Sequence, residues 1–426
     1  MNPNEKPLSV ADAQATALEW ITPLGVERVS LLDSIGRVLA ETVVAPGDLP
    51  PFDNAAMDGY AVIATDTTGA SEASPVCLHV IERVTAGQLP DRPLLPGQAI
   101  RIMTGAPLPE GASGVVMQEQ VRREGDMLTL TRPVLEGDNI RRRGEDVAAG
   151  QPVMAVGERL TPAHIGVLAA FHRSFVTVRR RPVVAILATG DELIEVDEPA
   201  TPGKIVNSNT YALAALVQES GAHPLVLPLA RDNQAQVEAS FAEAAAAADL
   251  IVSSGGVSVG DHDLVKPALE NLGLEARFWR VWMKPGKPLL FGRLRGRPCF
   301  GLPGNPVSSM VCFHLFVRPA LGKMLGLPDV EWRLPEVTAR LAGEVKTKGD
   351  RPTYLRARLF WTDGEWQAAV LPGQGSGMLT SMLGANGLVF FAEGKQLGRM
   401  GEPVPALLLT ALTHGQPSFI KKQLIG

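Results

Sequence analysis

The chain has 426 residues, which at roughly 150 residues per domain points to about three domains and leaves room for a large core. Its 40 Lys and Arg against 45 Asp and Glu give a formal charge of −5; this excludes the broad basic footprint of a general nucleic-acid binder, so any anion must be held locally. Hydrophobic residues at 45% and charged residues at 20% exclude a disordered chain.

Three cysteines, Cys77, Cys299 and Cys312, are widely spaced and never form CxxC. Neither a disulfide framework nor a zinc cluster is expected, and a reducing, cytoplasmic setting fits best. The opening MNPNEKPLSV lacks the apolar run of a leader, and no later stretch is apolar enough over a sufficient length to span a bilayer. No membrane role is expected.

From Ser9 to Trp20 the spacing predicts a capped helix, and VSLLDSIGRVLAETV repeats a helical pattern. Together with 151–180, residues 1–50 are read as a helical segment. Residues 51–150 hold short alternating runs broken by Gly, Pro and Asp, and are read as an inserted β domain. From 181 to 327, apolar strands alternate with amphipathic helices, which predicts βαβ units around a parallel sheet. PLLFGRL and RPCFGL predict a hairpin at its edge, and a long helix after Pro306 should bend at Pro319. Residues 328–426 return to short strands, a small barrel or sandwich.

The densest motif is SSGGVSVGDHD, residues 253–263, where a buried strand gives way to a helix. Gly255, Gly256 and Gly260 permit a nest of backbone N–H groups for phosphate or another oxyanion, although a tight βα turn needs glycine too. Asp261 and Asp263 beside such a nest suit a hard cation such as Mg²⁺ bridging to phosphate. In ILATGDEL, Thr189, Asp191 and Glu192 follow another strand of the same sheet, and Asp232 follows a third. Ligands of open α/β sheets bind beyond these carboxyl ends. Taken singly, Asp232 reads first as the N-cap of the next helix and only second as a site residue.

MKPGKP sets Lys284 and Lys287 around a rigid turn, apt for an oxyanion. In GLPGNPVSS, Asn305 is a good N-cap and Pro306 a good first helical residue, so this is either a second anion site or only a helix start. In the β domain, FDNAAMDGYA holds Asp53 and Asp58, RIMTGAPLP holds Thr104, and RRRGED adds three arginines and Asp146. There is no P-loop, HExxH or GxSxG motif. The residues alone point to an acid-rich, Mg²⁺-assisted site for a phosphate-bearing ligand that they do not name.

FDNAAMDGYA, RIMTGAPLP, GED, ATGDEL, SSGGVSVGDHD, MKPGKP, GLPGNPVS and QGSG stand in an order and spacing that resembles the molybdopterin molybdenumtransferase family, bacterial relatives of the gephyrin E domain. The resemblance runs from about Leu8 to about Leu409. It implies an α/β multidomain protein: a helical segment, an inserted β domain, an α/β molybdopterin-binding domain and a C-terminal β-barrel. It also implies a homodimer with a site shared between subunits, and contact with other molybdenum-cofactor biosynthesis proteins. The implied reaction inserts molybdenum from molybdate into adenylyl-molybdopterin with Mg²⁺-dependent release of AMP.

Carried over by motif, Asp58, Thr104, Asp146, Glu192, Asp232 and Asp263 would be catalytic, with Glu192, Asp232 and Asp263 also facing metal. Gly255, Gly256, Ser258, Arg280, Lys284, Lys287, Pro303, Pro306 and Ser376 would bind substrate. Two positions depart from the family pattern: Ala55 stands where serine is usual, and Arg280 where lysine is common. The alternatives are an adenylyltransferase acting on molybdopterin, whose loop usually reads GGTG followed by Arg-Asp, and a non-enzymatic scaffold.

Overall fold

The computed structural model describes residues 6–256 and 264–409. Backbone contacts divide it into two units, one of residues 1–40, 157–161 and 175–426 and one of residues 41–156 and 162–174.

The larger unit is built on a six-stranded sheet in the order His223–Val226, Val183–Ala188, Leu250–Ser254, Arg297–Leu302, Pro288–Leu294, Glu275–Arg280. The first four are parallel neighbours. Pro288–Leu294 is antiparallel to both its neighbours, so Glu275–Arg280 runs with the other strands again. The predicted hairpin around Arg295 therefore forms, but it lies inside the sheet and Glu275–Arg280 takes the edge.

Alternate residues of the central strands enter two different cores, as a sheet covered on both faces requires. Val184, Ile186, Leu250 and Val252 pack with helices Val10–Glu19, Ser208–Glu219 and Pro306–Cys312. Ala185, Leu187 and Ile251 pack with Gln234–Ala247 and Val265–Asn271. Ser9 caps the first helix by accepting from the Asp12 N–H at 3.1 Å.

The helical reading of residues 29–43 is corrected. Val26–Ser30 is a strand, antiparallel to Phe175–Arg179, followed by a short 3-10 turn, Leu32–Ser34. The long helix from Pro306 is interrupted by a π-helical stretch, Phe313–Val317, before Arg318–Met324. Pro319 has no N–H to donate to the carbonyl four residues earlier. That carbonyl, of Leu315, instead accepts from Gln14 Nε2 at 2.7 Å, supplied by the first helix.

The C-terminal strands close into a barrel in the order Glu336–Leu341, Glu365–Val370, Thr353–Thr362, Gly387–Phe391, Pro403–Leu408. Leu355, Ala357, Leu359, Val389 and Phe391 fill it. Tyr354 and Leu388, one residue out of phase, pack into the core of the α/β sheet.

The smaller unit centres on another six-stranded sheet: Gly114–Met117, Gly59–Val62, Gln98–Ile102, Val76–Val84, Met127–Leu130, Val121–Glu124. A two-residue ladder joins Asn54–Ala55 to Ile140–Arg141. It brings the FDNAAMDG and NIRRRGED stretches side by side.

Candidate active site

In the smaller unit, Asp58 and Thr104 meet. Asp58 Oδ1 accepts from the Thr104 N–H at 2.8 Å and from its hydroxyl at 2.7 Å. These two bonds, with help from Arg101, hold the Asp58 carboxyl below the usual carboxylate range. The pair is exposed and the acid is anionic at neutral pH.

The arginines of RRRGED are largely spoken for. Arg142 and the Arg143 backbone N–H bind Asp53 at 2.8 and 2.7 Å, and the Arg143 guanidinium binds Asp48. Asp146 has an exposed side chain and anchors its loop through its N–H to the Leu49 carbonyl. Ala55 is wholly buried in the short ladder, where a serine hydroxyl would have needed a partner.

In the larger unit, the carboxyl ends of the parallel strands make a crevice. Asp191 and Asp232 clasp each other, each backbone N–H donating to the other's carboxylate at 3.2 and 3.0 Å. The cap of the following helix is Asn233, which accepts from the Gln236 N–H; Asp232 makes no cap and is exposed. Glu192 folds back over Gly190, where a Cβ would lie 2.4 Å from its carboxylate. The Lys204 ammonium donates to the Asp191 carbonyl.

Gly255 and Gly256 have φ of +90° and +64°. A Cβ on Gly256 would meet Val265 Cγ2 at 2.2 Å and Thr189 Oγ1 at 3.0 Å, so glycine is required there by both torsion and space. Ser258 and Asp263 lie outside the described residues. Among the described residues no three His, Cys, Asp or Glu side chains gather as a metal site.

Residues 301–305 run from the end of the Arg297–Leu302 strand to a cleft that Asn305 lines. Asn209 Nδ2 donates to Ser254 Oγ at 2.8 Å and to the Gly304 carbonyl at 2.7 Å, tying two strand ends together. Pro303 is buried and Pro306 half-buried beside them. Asn305 occupies the N-cap position but its side chain makes no capping bond; it lines the cleft instead.

The cleft encloses about 1000 Å³ between MKPGKP, the barrel and the QGSG loop. MKPGKP is fixed there by Lys284, whose N–H donates to the Pro352 carbonyl at 2.9 Å and whose carbonyl accepts from Tyr354 at 2.7 Å. Lys284 and Lys287 line it, together with Ser376, whose carbonyl accepts from the Val307 N–H at 3.1 Å. Arg280 ends the edge strand just before this turn, its carbonyl accepting from the Leu8 N–H.

Further cations were not anticipated: Lys346, Lys348, Arg351 and Arg356 also line the cleft, against one acid, Glu344. Arg356 is 1% exposed. Its guanidinium donates to the Gly373 and Gly375 carbonyls at 2.9 and 3.1 Å and to Ser381 Oγ at 3.2 Å. Gln374 returns two bonds to the Arg356 backbone. Arg356 thus holds the loop that presents Ser376. Its place in YLRAR, out of phase with the core residues Leu355 and Ala357, was the only signal.

The arrangement offers a cation-lined cleft and, at nearby strand ends, exposed acids beside a glycine turn, and that pairing suits a ligand carrying phosphate and a second oxyanion. Three family models match the chain in succession: MoeA N-terminal region (domain I and II) over residues 8–171, probable molybdopterin binding domain over 185–323, and MoeA C-terminal region (domain IV) over 338–409. The chain belongs to the MoeA family of molybdopterin molybdenumtransferases.

A family member from Nostoc, named molybdopterin molybdenumtransferase, is 39% identical over 387 residues, covering 90% of this chain and 88% of its own. The Bacillus subtilis protein of that name is 36% identical over 413 residues, covering 95% and 94%. The molybdopterin biosynthesis MoeA protein of Pyrococcus horikoshii OT3 superposes with a TM-score of 0.81 at 34% identity, covering 95% of this chain and all of its own. The α/β multidomain fold with a C-terminal barrel is that of the MoeA family.

Proposed function

We propose that this chain is a molybdopterin molybdenumtransferase, which inserts molybdenum from molybdate into adenylyl-molybdopterin and releases AMP. The observation that carries the reading is the cation-lined cleft, which begins at Asn305, next to Gly304, whose carbonyl Asn209 ties to the strand end at Ser254.

Lys284 and Lys287 hold an oxyanion by charge, and the Arg356-held loop presents Ser376 to the same space. The Gly255–Gly256 turn borders the phosphate; it does so without the Gly255 N–H, which donates to the Leu302 carbonyl at 3.1 Å. Cleavage of the phosphoanhydride needs a water and a group to take its proton; Glu192, Asp232 and Asp263 are the candidates at that end. Asp58, fixed and anionic through Thr104, and Asp146 complete the proposed set, with Arg280, Pro303 and Pro306 shaping the substrate surface.

Mg²⁺ is part of the proposal. It is commonly held by one or two carboxylates plus substrate phosphates, which Glu192 and Asp232 suit, with Asp263 as a further oxygen donor. When bound it would neutralise charge on the phosphoanhydride. A homodimeric assembly and a cytoplasmic location complete the reading; the three free cysteines fit a reducing compartment, and no helix among the described residues is long and apolar enough to cross a membrane.

Asp58→Ala and Glu192→Ala should each cut molybdate-dependent AMP release at least tenfold with circular dichroism unchanged, since both side chains are exposed. Unaltered turnover in either variant removes that residue from the centre. Rapid adenylylation of molybdopterin from ATP would favour the adenylyltransferase instead. Tight binding of adenylyl-molybdopterin with no AMP release on adding molybdate would favour a scaffold.

A further inference from the structure

Trp282 adjoins the cleft, next in sequence to Met283 and Lys284 that line it, and has no part in the reaction described above. It follows the edge strand Glu275–Arg280 and immediately precedes MKPGKP. Lys287 Nζ lies 5.7 Å from its ring centroid and the Arg351 guanidinium carbon 5.8 Å from the same centroid. Both distances fall within cation–π reach, and Trp offers the strongest ring for it.

The indole itself is fixed at two points. Its ring N–H donates to Glu393 Oε2 at 3.0 Å, just past the Gly387–Phe391 barrel strand. Its backbone N–H donates to the Leu8 carbonyl at 2.8 Å. The two cations come from different stretches, Lys287 from MKPGKP and Arg351 from the turn before the Thr353–Thr362 strand, where it also pairs with Asp350 at 3.3 Å. Both line the cleft.

Two long cationic side chains at one wall repel each other and lose rotamer freedom when an anion orders them. An anchored ring that attracts both reduces that loss before the anion arrives, which is preorganisation.

We propose that Trp282 is a positioning residue that holds Lys287 and Arg351 as a ready-made pair on the anion-binding wall, with Glu393 fixing the indole plane. The ligand class is a small tetrahedral oxyanion or a phosphate group. The proposal rests on the reading of the cleft as the transferase's anion site.

The test is calorimetric titration of the full-length protein with molybdate, alongside AMP-release kinetics. Trp282→Met keeps apolar bulk without a π face and should weaken molybdate binding about fivefold, raising KM for molybdate in step while kcat stays within twofold. Trp282→Phe restores a ring and should recover most of the loss. Glu393→Gln should weaken binding about two- to threefold, and it carries the test should Trp282→Met fail to fold; unchanged affinity in Glu393→Gln then overturns the proposal. Undiminished molybdate affinity in a folded Trp282→Met, or no recovery in Trp282→Phe, overturns the proposal alone. A wild-type protein that binds no molybdate overturns the reading of the cleft and the proposal with it.

Discussion

Asp58 and His314 are two titratable side chains whose surroundings act on them in different ways. Asp58 is exposed and depends on Thr104 for its low pKa. Thr104→Val removes the hydroxyl donor but keeps the backbone one, so the Asp58 carboxyl should titrate at a higher pH in the variant, moving towards but not reaching the ordinary value. A carbon-detected NMR titration of the two proteins checks this; coincident midpoints would show that the hydroxyl contributes nothing.

His314 lies in the π-helical stretch, nearly enclosed, with Nδ1 unpartnered. Burial, and then the neighbouring Arg318 charge, push its pKa down to about 4. The unfolded chain takes up a proton near pH 6.5 while the folded one does not. The contribution of His314 to stability is therefore complete above about pH 6.5 and is lost progressively as pH falls towards 4. The span corresponds to on the order of 3 kcal/mol. Denaturant melts of wild type and His314→Leu across this window should show a shallower acid-side decline in the variant.

At the level of strands, helices and their loops, Gly256 links local geometry to the site. Alanine there would combine left-handed backbone with a 2.2 Å approach to Val265. Gly256→Ala should destabilise by about 2–4 kcal/mol and disturb the crevice. Gly296, at φ +79° with nothing within 4 Å of a Cβ, is the matched control and should lose only about 1 kcal/mol on the same change. Chemical denaturation of both variants separates torsion from crowding, and equal losses would contradict the packing argument.

The same contrast between local and distant determinants explains what could be read from the sequence. Strand–helix alternation after Pro182 and the glycines at the strand ends are local signals, and they led to the sheet and its crevice. Val26–Ser30 is a strand because it pairs with Phe175–Arg179, far along the chain, so its own periodicity misled. Asp232 and Asn233 are adjacent and both suited to capping; only the course of the backbone decides between them. Lys284 and Lys287 stood out beside a Pro-Gly turn. Arg356 did not, because an arginine on the outer face of a barrel strand looks solvent-facing until the QGSG loop is seen to cover it.

Over the whole molecule, the larger unit draws its central helix, its sheet edge and its barrel into one packed body. Tyr354 and Leu388 of the barrel share a core with Phe291 and Phe300 of the sheet, and Lys284 is hydrogen-bonded to both flanks of Thr353. Barrel and sheet should therefore unfold together. Hydrogen exchange should report matching opening free energies for the Thr353–Thr362 and Pro288–Leu294 strands, and clearly separate values would count against a single cooperative unit.

The Gln14 bond to the Leu315 carbonyl makes the beginning of the chain a repair piece for a helix that proline has interrupted three hundred residues later. A protease that trims the protein up to Trp20 would remove no group that meets substrate. It would nevertheless strip the patch from the helix whose first turn borders the cleft, and also the Leu8 carbonyl that steadies Trp282. Such clipping should abolish turnover by loosening that helix, and adding back a synthetic peptide of the lost segment should restore part of it.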